Sequence, residues 1–275
     1  MFASTELAAQ IERAEVELLS ACARGCARRR GLDVYAAPLA GGLAVHAIEG
    51  SPLNKVAGLG FHGPVDAGAL AEVERAIFAR GGAVQVELST VADPSIAPLL
   101  CRRGYGLVGF ENVLGRPLTR AEGSAPPGLS IELADDDALD LWIDVMVTGF
   151  LAPDSEGVAS HESFPRAALT AAMTDVAHVD GFRRYLVRDR DGRVIAGGSA
   201  RFTDGVAQLC GAATLPAWRR RGAQTLLLAT RLADAAKAGC ELAVMTTQPA
   251  SKSMANALRR GFALLYARAV LVRES

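Results

Sequence analysis

The stretch that decides the fold runs from Leu215 to Leu228 and reads L-P-A-W-R-R-R-G-A-Q-T-L-L-L. Three arginines and a glycine stand between a proline and an apolar run. Pro216 has no N–H to donate, so it limits pairing along the strand before it. The apolar run continues with helical spacing from a start near Gly222. The stretch therefore predicts the end of a strand, a basic turn and the first turn of a helix.

This basic turn has two interpretations. Free N–H groups and the dipole at a helix N-terminus form an anion site, and glycine lets a ligand approach the backbone closely. Arginine adds forked donors that suit phosphate oxygens. Alternatively, a basic turn is only a solvated corner of the surface. The Walker pattern G-x-x-x-x-G-K-[ST] and the dinucleotide pattern G-x-G-x-x-G are both absent. The strand before the turn and the helix after it favour a pyrophosphate cradle.

Periodicity outward from this turn predicts a mixed sheet with helices packed on it, an α/β fold. The turn pairs Asp191-Gly192, with a type I′ signal, and Asp204-Gly205 separate the strands of a meander. A helix connects Val206–Thr214 to Glu241–Thr247, so these strands are expected to be parallel. The predicted helices are Asp135 through Val145, Phe164–Met173, the helix after the turn and Ser253–Arg260; the remaining strands are Arg184–Asp189, Val194–Phe202 and Phe262–Val272.

The chain divides at a segment rich in Pro, Gly and charge, 116–128, which has the composition of a linker. We expect domains at 1–117 and 129–275 with a linker at 118–128. The halves also resemble each other: C-R-R-G-Y at 101–105 matches L-R-R-G-F at 258–262, and the same offset serves more of the chain. This indicates an internal duplication. The alternative is shared helix and strand patterning in a chain rich in Ala and Arg.

Composition excludes several classes of protein. The net charge is -1 and half of the residues are hydrophobic, so no basic excess points to nucleic acid. No apolar run approaches the roughly 20 residues that span a bilayer, and we expect no secretory signal. The five cysteines form no C-x-x-C pair, so neither disulfides nor a metal site is predicted. A reducing, cytoplasmic location follows as an expectation.

The run Arg219-Arg220-Arg221-Gly222-Ala223-Gln224, placed after a meander strand and before a helix, resembles the R/Q-x-x-G-x-G/A motif of the GNAT superfamily of acyl-CoA-dependent N-acetyltransferases. Gln224 departs from this pattern, since Gly or Ala is usual there. The later segment S-M-A-N-A-L-R-R-G-F resembles the second signature of the family, a helix that ends in Gly-Phe before the last strand. The resemblance implies two GNAT-like domains, each a mixed, mostly antiparallel sheet flanked by helices.

The resemblance also implies a site for acetyl-CoA as acyl donor. The backbone of Ala212, Ala213 and Thr214 would hydrogen-bond the pantetheine arm like an added strand. Asn256 and Arg259 would lie near the pantetheine and the 3′-phosphate end, although a solvent-facing helix position explains Asn256 equally well. The residues of the cradle itself would be Arg219, Arg220, Arg221, Gly222, Ala223, Gln224 and Thr225.

The catalytic groups are poorly marked. Many members of the family carry a tyrosine general acid at the position of Ala257, so that acid is missing here. Tyr266 on the last strand is a weak substitute, and a half-buried structural role is the alternative. Gln208 lies where the family often has a glutamate base, and it can only position water or substrate. The catalytic residues are therefore unknown from the sequence.

The first half lacks the cradle. The repeat places His62-Gly63-Pro64-Val65 opposite the arginines and Gly222, and Pro64 removes an amide from the turn. We therefore expect the first domain to have lost cofactor binding. The segment Phe150 to Phe164 lies where the family covers its acceptor, and Asp154, Glu156, His161 and Glu162 would attract an amine there; a solvated loop is the alternative.

The sequence thus predicts an N-acetyltransferase that acts on a primary amine of a small molecule or peptide. The alternatives are a non-catalytic acyl-CoA-binding or regulatory module and a transferase for longer acyl groups. The oligomeric state is not encoded.

Overall fold

The computed structural model of the chain describes residues 3–118, 128–154, 156–159 and 162–275. Most of the predicted linker, 119–127, and His161 lie outside the described residues. The elements up to residue 118 are α1 Thr5–Arg30, β1 Tyr35–Leu39, β2 Gly42–His46, β3 Lys55–Ala57, α2 Ala67–Phe78, β4 Val84–Ser89, α3 Ile96–Arg102 and β5 Gly106–Pro117. Those that follow are β6 Leu129–Leu133, α4 Leu139–Phe150, α5 Arg166–Ala177, β7 Phe182–Asp189, β8 Val194–Thr203, β9 Val206–Gln208, β10 Ala212–Thr214, α6 Ala223–Lys237, β11 Leu242–Thr247, α7 Lys252–Arg259 and β12 Ala263–Arg273.

The contacts divide the chain into two compact units, and each unit combines stretches that are separate in the sequence. The first unit, here called the cradle unit, contains the described residues of 114–158 and 180–263. The second, here called the companion unit, contains those of 3–113, 159–179 and 264–275. The companion unit thus includes α5 and nearly all of β12, which the sequence assigned to the second domain. The predicted domains 1–117 and 129–275 describe the two similar halves of the sequence. Because each packed unit combines separate stretches of the chain, these boundaries stay a proposal.

The companion unit is built on a sheet in the order β1-β2-β3-β4-β12-β5, to which β5 contributes its residues up to Val113. β3 and β4 pair in parallel where Val56 lies opposite Val86, and β12 pairs antiparallel with β4. Its long helix α1 begins at the cap Ser4 and ends at Gly31. The spacing of Leu7, Ile11, Ala14, Leu18 and Cys22 predicts an amphipathic helix over roughly Thr5 to Arg29, and α1 confirms it. Its caps satisfy backbone groups at the two ends.

Within the cradle unit, the strands follow the order β11-β9-β8-β7-β6 and their pairing is mixed. The pairs β6·β7, β7·β8 and β8·β9 are antiparallel, whereas β9 and β11 are parallel as predicted. Its core forms where α6 packs its apolar face, including Leu227 and Leu232, against the sheet. The predicted α/β class, with mostly antiparallel mixed sheets flanked by helices, is confirmed.

Three details of the second half differ from the prediction. The short strand β6 was missed, although its residues L-S-I-E-L alternate apolar and polar side chains and Leu129 and Ile131 pack against the core. The single strand expected over Val206–Thr214 is interrupted between β9 and β10 at Gly211, whose φ is 108°. At Asp191-Gly192 only the glycine has a positive φ, so the turn is not type I′. Asp189 instead accepts hydrogen bonds from the amides of residues 191 and 193, which fixes a longer turn.

Two absences are established for the described residues. None of their helices combines the length and the apolar character needed to cross a membrane. None of their His, Cys, Asp and Glu side chains gather in groups of three or more that could hold a metal ion.

Candidate functional site

The strand before the cradle changes partners at its interruption. β9 pairs with β8 on one side and with β11 on the other, where Gln208 lies opposite Val244. The amide of Leu209 still donates to the Val244 carbonyl at 2.9 Å. Beyond Gly211, β10 pairs with β8, and no second strand partner of β10 occurs in the described part of the chain. β10 therefore leaves one edge that an extended ligand arm can pair with.

The backbone after β10 has the shape of an anion site. A short 3-10 helix over Pro216–Trp218 leads to Arg219 in an extended conformation. Arg220 then has a φ of 64° and Gly222 a φ of 89°. A left-handed conformation costs a non-glycine residue roughly 1–2 kcal/mol, and such strain concentrates at functional sites. Because Gly222 is the N-cap of α6 and has no side chain, the first-turn amides of the helix receive no side-chain cap.

The three arginines of the turn have different surroundings. Arg219 is half-buried, donates through Nε to the Thr214 carbonyl at 3.4 Å, and also donates to the carbonyl of Ala152. Arg221 is exposed and stacks its guanidinium 4.6 Å from the centre of the Trp218 ring. Arg220 is exposed as well. The structure therefore makes Arg219 an anchor of the turn and leaves the two following arginines at the surface.

The remaining predicted cradle residues flank the start of α6. Gln224 donates through Nε2 to Oγ1 of Thr214 at 3.0 Å, which joins the helix to the end of β10. Ala223 is buried and Thr225 is exposed. On β10 itself, Ala212 is half-buried, whereas the next two residues are buried. These residues lie on consecutive elements of one unit.

The helix α7 carries the two residues expected near the far end of the cofactor. Asn256 is half-buried and accepts a hydrogen bond from the exposed Arg259 on the next turn. At the end of β11, which precedes this helix, Oγ1 of Thr247 is buried and has no hydrogen-bond partner among the described residues. A buried hydroxyl without a partner is unusual in folded proteins.

The weak catalytic candidates have structural surroundings. Gln208 is buried and accepts a hydrogen bond from Arg201 Nη1 at 3.1 Å. Ala257 is fully buried in the core of the cradle unit. Tyr266 belongs to the companion unit, where its hydroxyl donates to Glu12 Oε1 at 2.7 Å. Burial and the neighbouring Glu12 carboxylate raise the pKa of this tyrosine, which weakens it as a proton donor.

Arg231, on α6, was not identified from the sequence. Its side chain is 3% exposed, and Nη1 donates to the carbonyls of Ser199 and Gly211 at 3.1 Å each. Burial lowers the pKa of this guanidinium to about 10, so it stays protonated at neutral pH. Arg231 therefore links α6 to β8 and to the interruption between β9 and β10. The sequence did contain a signal for this residue, since Arg231 stands among the regularly spaced apolar residues of α6.

Three contacts join the first part of the segment expected to cover the acceptor to other elements of the cradle unit. Arg219 binds the carbonyl of Ala152, as described above. Lys252 Nζ lies 2.9 Å from both carboxylate oxygens of Glu156. The amide of Val158 donates to the carbonyl of Pro249 at 3.2 Å. The described residues 152–154 and 156–158 therefore run beside the cradle and the start of α7.

The four polar residues expected on this segment are not all brought together. Asp154 accepts a hydrogen bond at 3.4 Å from the amide of Glu156, so these two are neighbours. Glu162 belongs to the companion unit and accepts from Gln85 Nε2 at 2.9 Å. His161 lies outside the described residues.

The corresponding turn of the companion unit is closed to anions by its own chain. Its helix α2 begins at the N-cap Asp66, whose Oδ1 accepts a hydrogen bond from the Ala69 amide at 2.8 Å. A carboxylate at a helix N-terminus satisfies an amide that an anion would need and repels negative charge. The starts of the two helices thus differ in their N-caps as well: a carboxylate caps α2, whereas glycine leaves α6 without a side-chain cap.

Comparison with known proteins agrees with this geometry. Residues 151–262 match the family model described as Acetyltransferase (GNAT) family. A GCN5-related N-acetyltransferase from Kribbella flavida has a similar fold, with 19% identity and a TM-score of 0.64 over 94% of this chain and 95% of that chain. A tandem GNAT protein from the clavulanic acid biosynthesis pathway has 12% identity and a TM-score of 0.58, over 85% and 78% of the two chains.

A third structure, a GCN5-related N-acetyltransferase from Sphaerobacter thermophilus, has 16% identity and a TM-score of 0.57 over 74% of this chain and 66% of that chain. No curated protein matches the chain in sequence. At these identities the solved structures show the fold alone, and the family model supplies the assignment. The chain therefore contains a domain of the GNAT acetyltransferase family within residues 151–262, as its basic turn suggested.

Proposed function

We propose that the cradle unit binds acetyl-CoA and transfers the acetyl group to a primary amine of a small molecule or peptide. One observation carries this proposal: α6 begins at an uncapped glycine, directly after two exposed arginines and the open edge of β10. An uncapped helix N-terminus with adjacent guanidinium groups suits a pyrophosphate. The site is thus suited to the charged middle of a CoA thioester.

The residues present fit this ligand along its length. Amides from Arg220 to Thr225 would hold the pyrophosphate, and the free edge of β10 would pair with the amide-containing pantetheine arm. The unpartnered hydroxyl of Thr247, at the end of β11, is proposed to hydrogen-bond the same arm. Asn256 and Arg259 are proposed to lie toward the 3′-phosphate. When bound, the thioester supplies an activated acyl carbon for the attacking amine.

The proton transfers must be arranged without the usual tyrosine. The position of that acid is the buried Ala257, and Gln208 has no ionisable group. Because Arg201 holds the Gln208 side chain, we propose that this amide orients water or the acceptor rather than removing a proton. Water would then carry the proton away from the amine and to the leaving thiolate. This arrangement predicts slow turnover that rises with pH as more acceptor becomes neutral.

The second candidate function is a non-catalytic acyl-CoA-binding module. Ala257 and Gln208 favour it, since neither can transfer a proton. A transferase for longer acyl groups also remains compatible with the cradle, which contacts the part of CoA common to all thioesters. We also propose a cytoplasmic location, because the five cysteines are scattered along the sequence without the spacing of a disulfide framework.

The test combines binding with turnover in the full chain. Calorimetry with CoA and acetyl-CoA measures binding, and release of free thiol across a panel of amines measures transfer. Binding with turnover supports the transferase, whereas binding without turnover on any amine supports the module. The double variant Arg221→Glu, Gly222→Asp is expected to abolish binding. The matched variant His62→Ala, on the corresponding turn of the companion unit, is expected to leave it intact. Failure of the unaltered chain to bind CoA would overturn both functions.

A further inference from the structure

The acyl end of a bound CoA thioester would lie beside Gly211. The proposed pyrophosphate site follows the end of β10 at Thr214, and the pantetheine arm would pair with the free edge of this strand. The arm would therefore run from Thr214 back to Ala212, along three residues or about 10 Å of strand. Since Gly211 directly precedes Ala212, the thioester at the end of the arm would reach the interruption between β9 and β10.

The space along the free edge of β10 ends at this interruption. Both β9 and β10 pair with β8 on the edge that β7 does not use, so the free edge of β10 lies on the side of β11. The amide of Leu209 donates to the Val244 carbonyl at 2.9 Å, which still joins the end of β9 to β11. An arm that lies along β10 cannot pass this hydrogen bond. The acyl group must therefore leave the plane of the sheet toward one of its two faces.

A different helix packs on each face of the sheet at this point. An added Cβ on Gly197 of β8 would lie 3.1 Å from Sδ of Met146 on α4. An added Cβ on the next residue, Gly198, would lie 3.0 Å from Cδ2 of Leu227 on α6. Successive residues of a strand point to opposite faces. α4 therefore covers one face and α6 covers the other, and the acyl group has to turn toward one of these two helices.

The core of the cradle unit fills the α6 face. Arg231, which is 3% exposed, donates through Nη1 to the carbonyl of Gly211 at 3.1 Å. Leu227 and Ala257 are fully buried in the same core. An acyl chain that turned toward α6 would have to displace these side chains and break a hydrogen bond of a buried guanidinium, which is costly. We therefore expect the chain to turn toward α4.

On the α4 face, two side chains lie against Gly211. α4 approaches β10 so closely that an added Cβ on Gly149 would collide with the Cβ of Ala213. Phe150, the next residue, and Met146, one turn earlier, lie beside this contact. An added Cβ on Gly211 would lie 3.1 Å from Cζ of Phe150 and 3.7 Å from Cε of Met146. Met146 is fully buried, whereas Phe150 is 37% exposed at the end of the helix.

We propose, on the basis of the acyl-CoA site proposed above, that Phe150 determines which acyl length the cradle unit accepts and restricts it to short groups such as acetyl. The ring lies where the acyl carbons beyond the thioester carbonyl would have to go, and Met146 fills the buried side of the same space. A longer chain would have to push the ring aside, and forcing extra methylenes into a packed site is unfavourable. Phe150 thereby distinguishes acetyl-CoA from longer thioesters, which share the same cradle contacts.

The experiment is titration calorimetry of the full chain with CoA, acetyl-CoA and butyryl-CoA. CoA measures the part of the site common to all thioesters, and the ratio of the two acyl-CoA affinities measures selection by acyl length. We expect acetyl-CoA to bind at least about tenfold more tightly than butyryl-CoA, since two more methylenes meet the ring. Binding of CoA with equal affinities for the two thioesters would overturn the role of Phe150 alone. Failure to bind CoA would overturn the proposed function and this role together.

Variants assign the selection to one side chain. Phe150→Ala should bring the affinities for acetyl-CoA and butyryl-CoA within about threefold of each other, because it removes the ring from a packed site. Phe150→Leu should change the ratio in the same direction and decides the matter if the alanine variant does not fold. Leu141→Ala is the control, since Leu141 lies on the same helix and is 42% exposed; it should leave the ratio unchanged. An unaltered ratio in the Phe150 variants, or the same loss of selection in Leu141→Ala, would contradict the assignment.

Discussion

The side-chain amide of Gln224 donates to the hydroxyl of Thr214 at 3.0 Å and so joins the first turn of α6 to the end of β10. The GNAT motif usually has Gly or Ala at this position, and a longer side chain there raised the question of whether the cradle is blocked. The hydrogen bond holds the glutamine against the strand. The departure from the motif is therefore compatible with an open cradle.

We predict that Gln224→Ala changes the affinity for CoA by less than about threefold, because the side chain is tied to Thr214 and does not fill the anion site. Gln224→Glu should weaken CoA by at least about tenfold, since a carboxylate at a helix N-terminus repels phosphate. Calorimetry with CoA measures both. An increase in affinity in the alanine variant beyond tenfold would mean that the glutamine does obstruct the cradle.

Tyr266→Phe tests whether this tyrosine is catalytic. Its hydroxyl donates to Glu12 inside the companion unit, so its loss should lower the free energy of unfolding by roughly 1–3 kcal/mol, the cost of an orphaned buried partner. Turnover per bound acetyl-CoA should stay within about threefold. Urea unfolding and the thiol assay give the two values. A large loss of kcat with unchanged stability would restore Tyr266 as the acid.

The pH dependence of stability should contain a contribution from Glu111. Burial and the nearby Glu87 carboxylate raise its pKa from 4.5 to about 8, so the folded state binds the proton more tightly than the unfolded state. This contribution is fully present below pH 4.5 and is lost as the pH rises through 8. Each pH unit between these values lowers the free energy of unfolding by up to about 1.4 kcal/mol.

Urea unfolding at pH 5, 6, 7 and 8 checks this prediction. Glu111→Gln cannot titrate, so its stability should fall less with rising pH than that of the unaltered chain. Parallel curves for the two proteins would show that Glu111 has an ordinary pKa.

The position of α5 in the companion unit depends on Asp175. This carboxylate is 2% exposed, pairs with Arg29, and lies 3.7 Å from Arg30 Nε on α1. Asp175→Ala should cost roughly 1–3 kcal/mol, less than the 3–5 of a fully buried pair, because Arg29 keeps partial contact with water. Unfolding followed by far-UV circular dichroism measures the loss.

The control for this change is Asp33→Ala. Asp33 lies 2.9 Å from Arg80 but is 92% exposed, and exposed pairs contribute about 0–1 kcal/mol. If both variants lose the same stability, α5 is held by its apolar contacts and not by the ion pair.

Local chemistry made much of the fold predictable. The helix start at Gly222, the Gly-Phe end of α7 and the turn at Asp204-Gly205 depend on residues close in sequence. The interruption between β9 and β10 was not predictable in this way. It depends on Arg231, which lies about twenty residues away on another element and donates to the carbonyls of Gly211 at the break and of Ser199 on β8.

The sequence by itself determined the α/β class, most helices and strands of the second half, and the basic turn before α6. These follow from periodicity, caps and turn residues, which act over a few positions. Only the tertiary structure decided that α5 and β12 join the companion unit, and that Tyr266 serves Glu12 there. Pairing between distant segments depends on which surfaces are complementary after folding. The residues of one strand alone do not determine which strand pairs with it. The ion pairs of Arg268 are the clearest case, since Glu12, Glu87 and Glu111 come from three different elements that no local pattern connects.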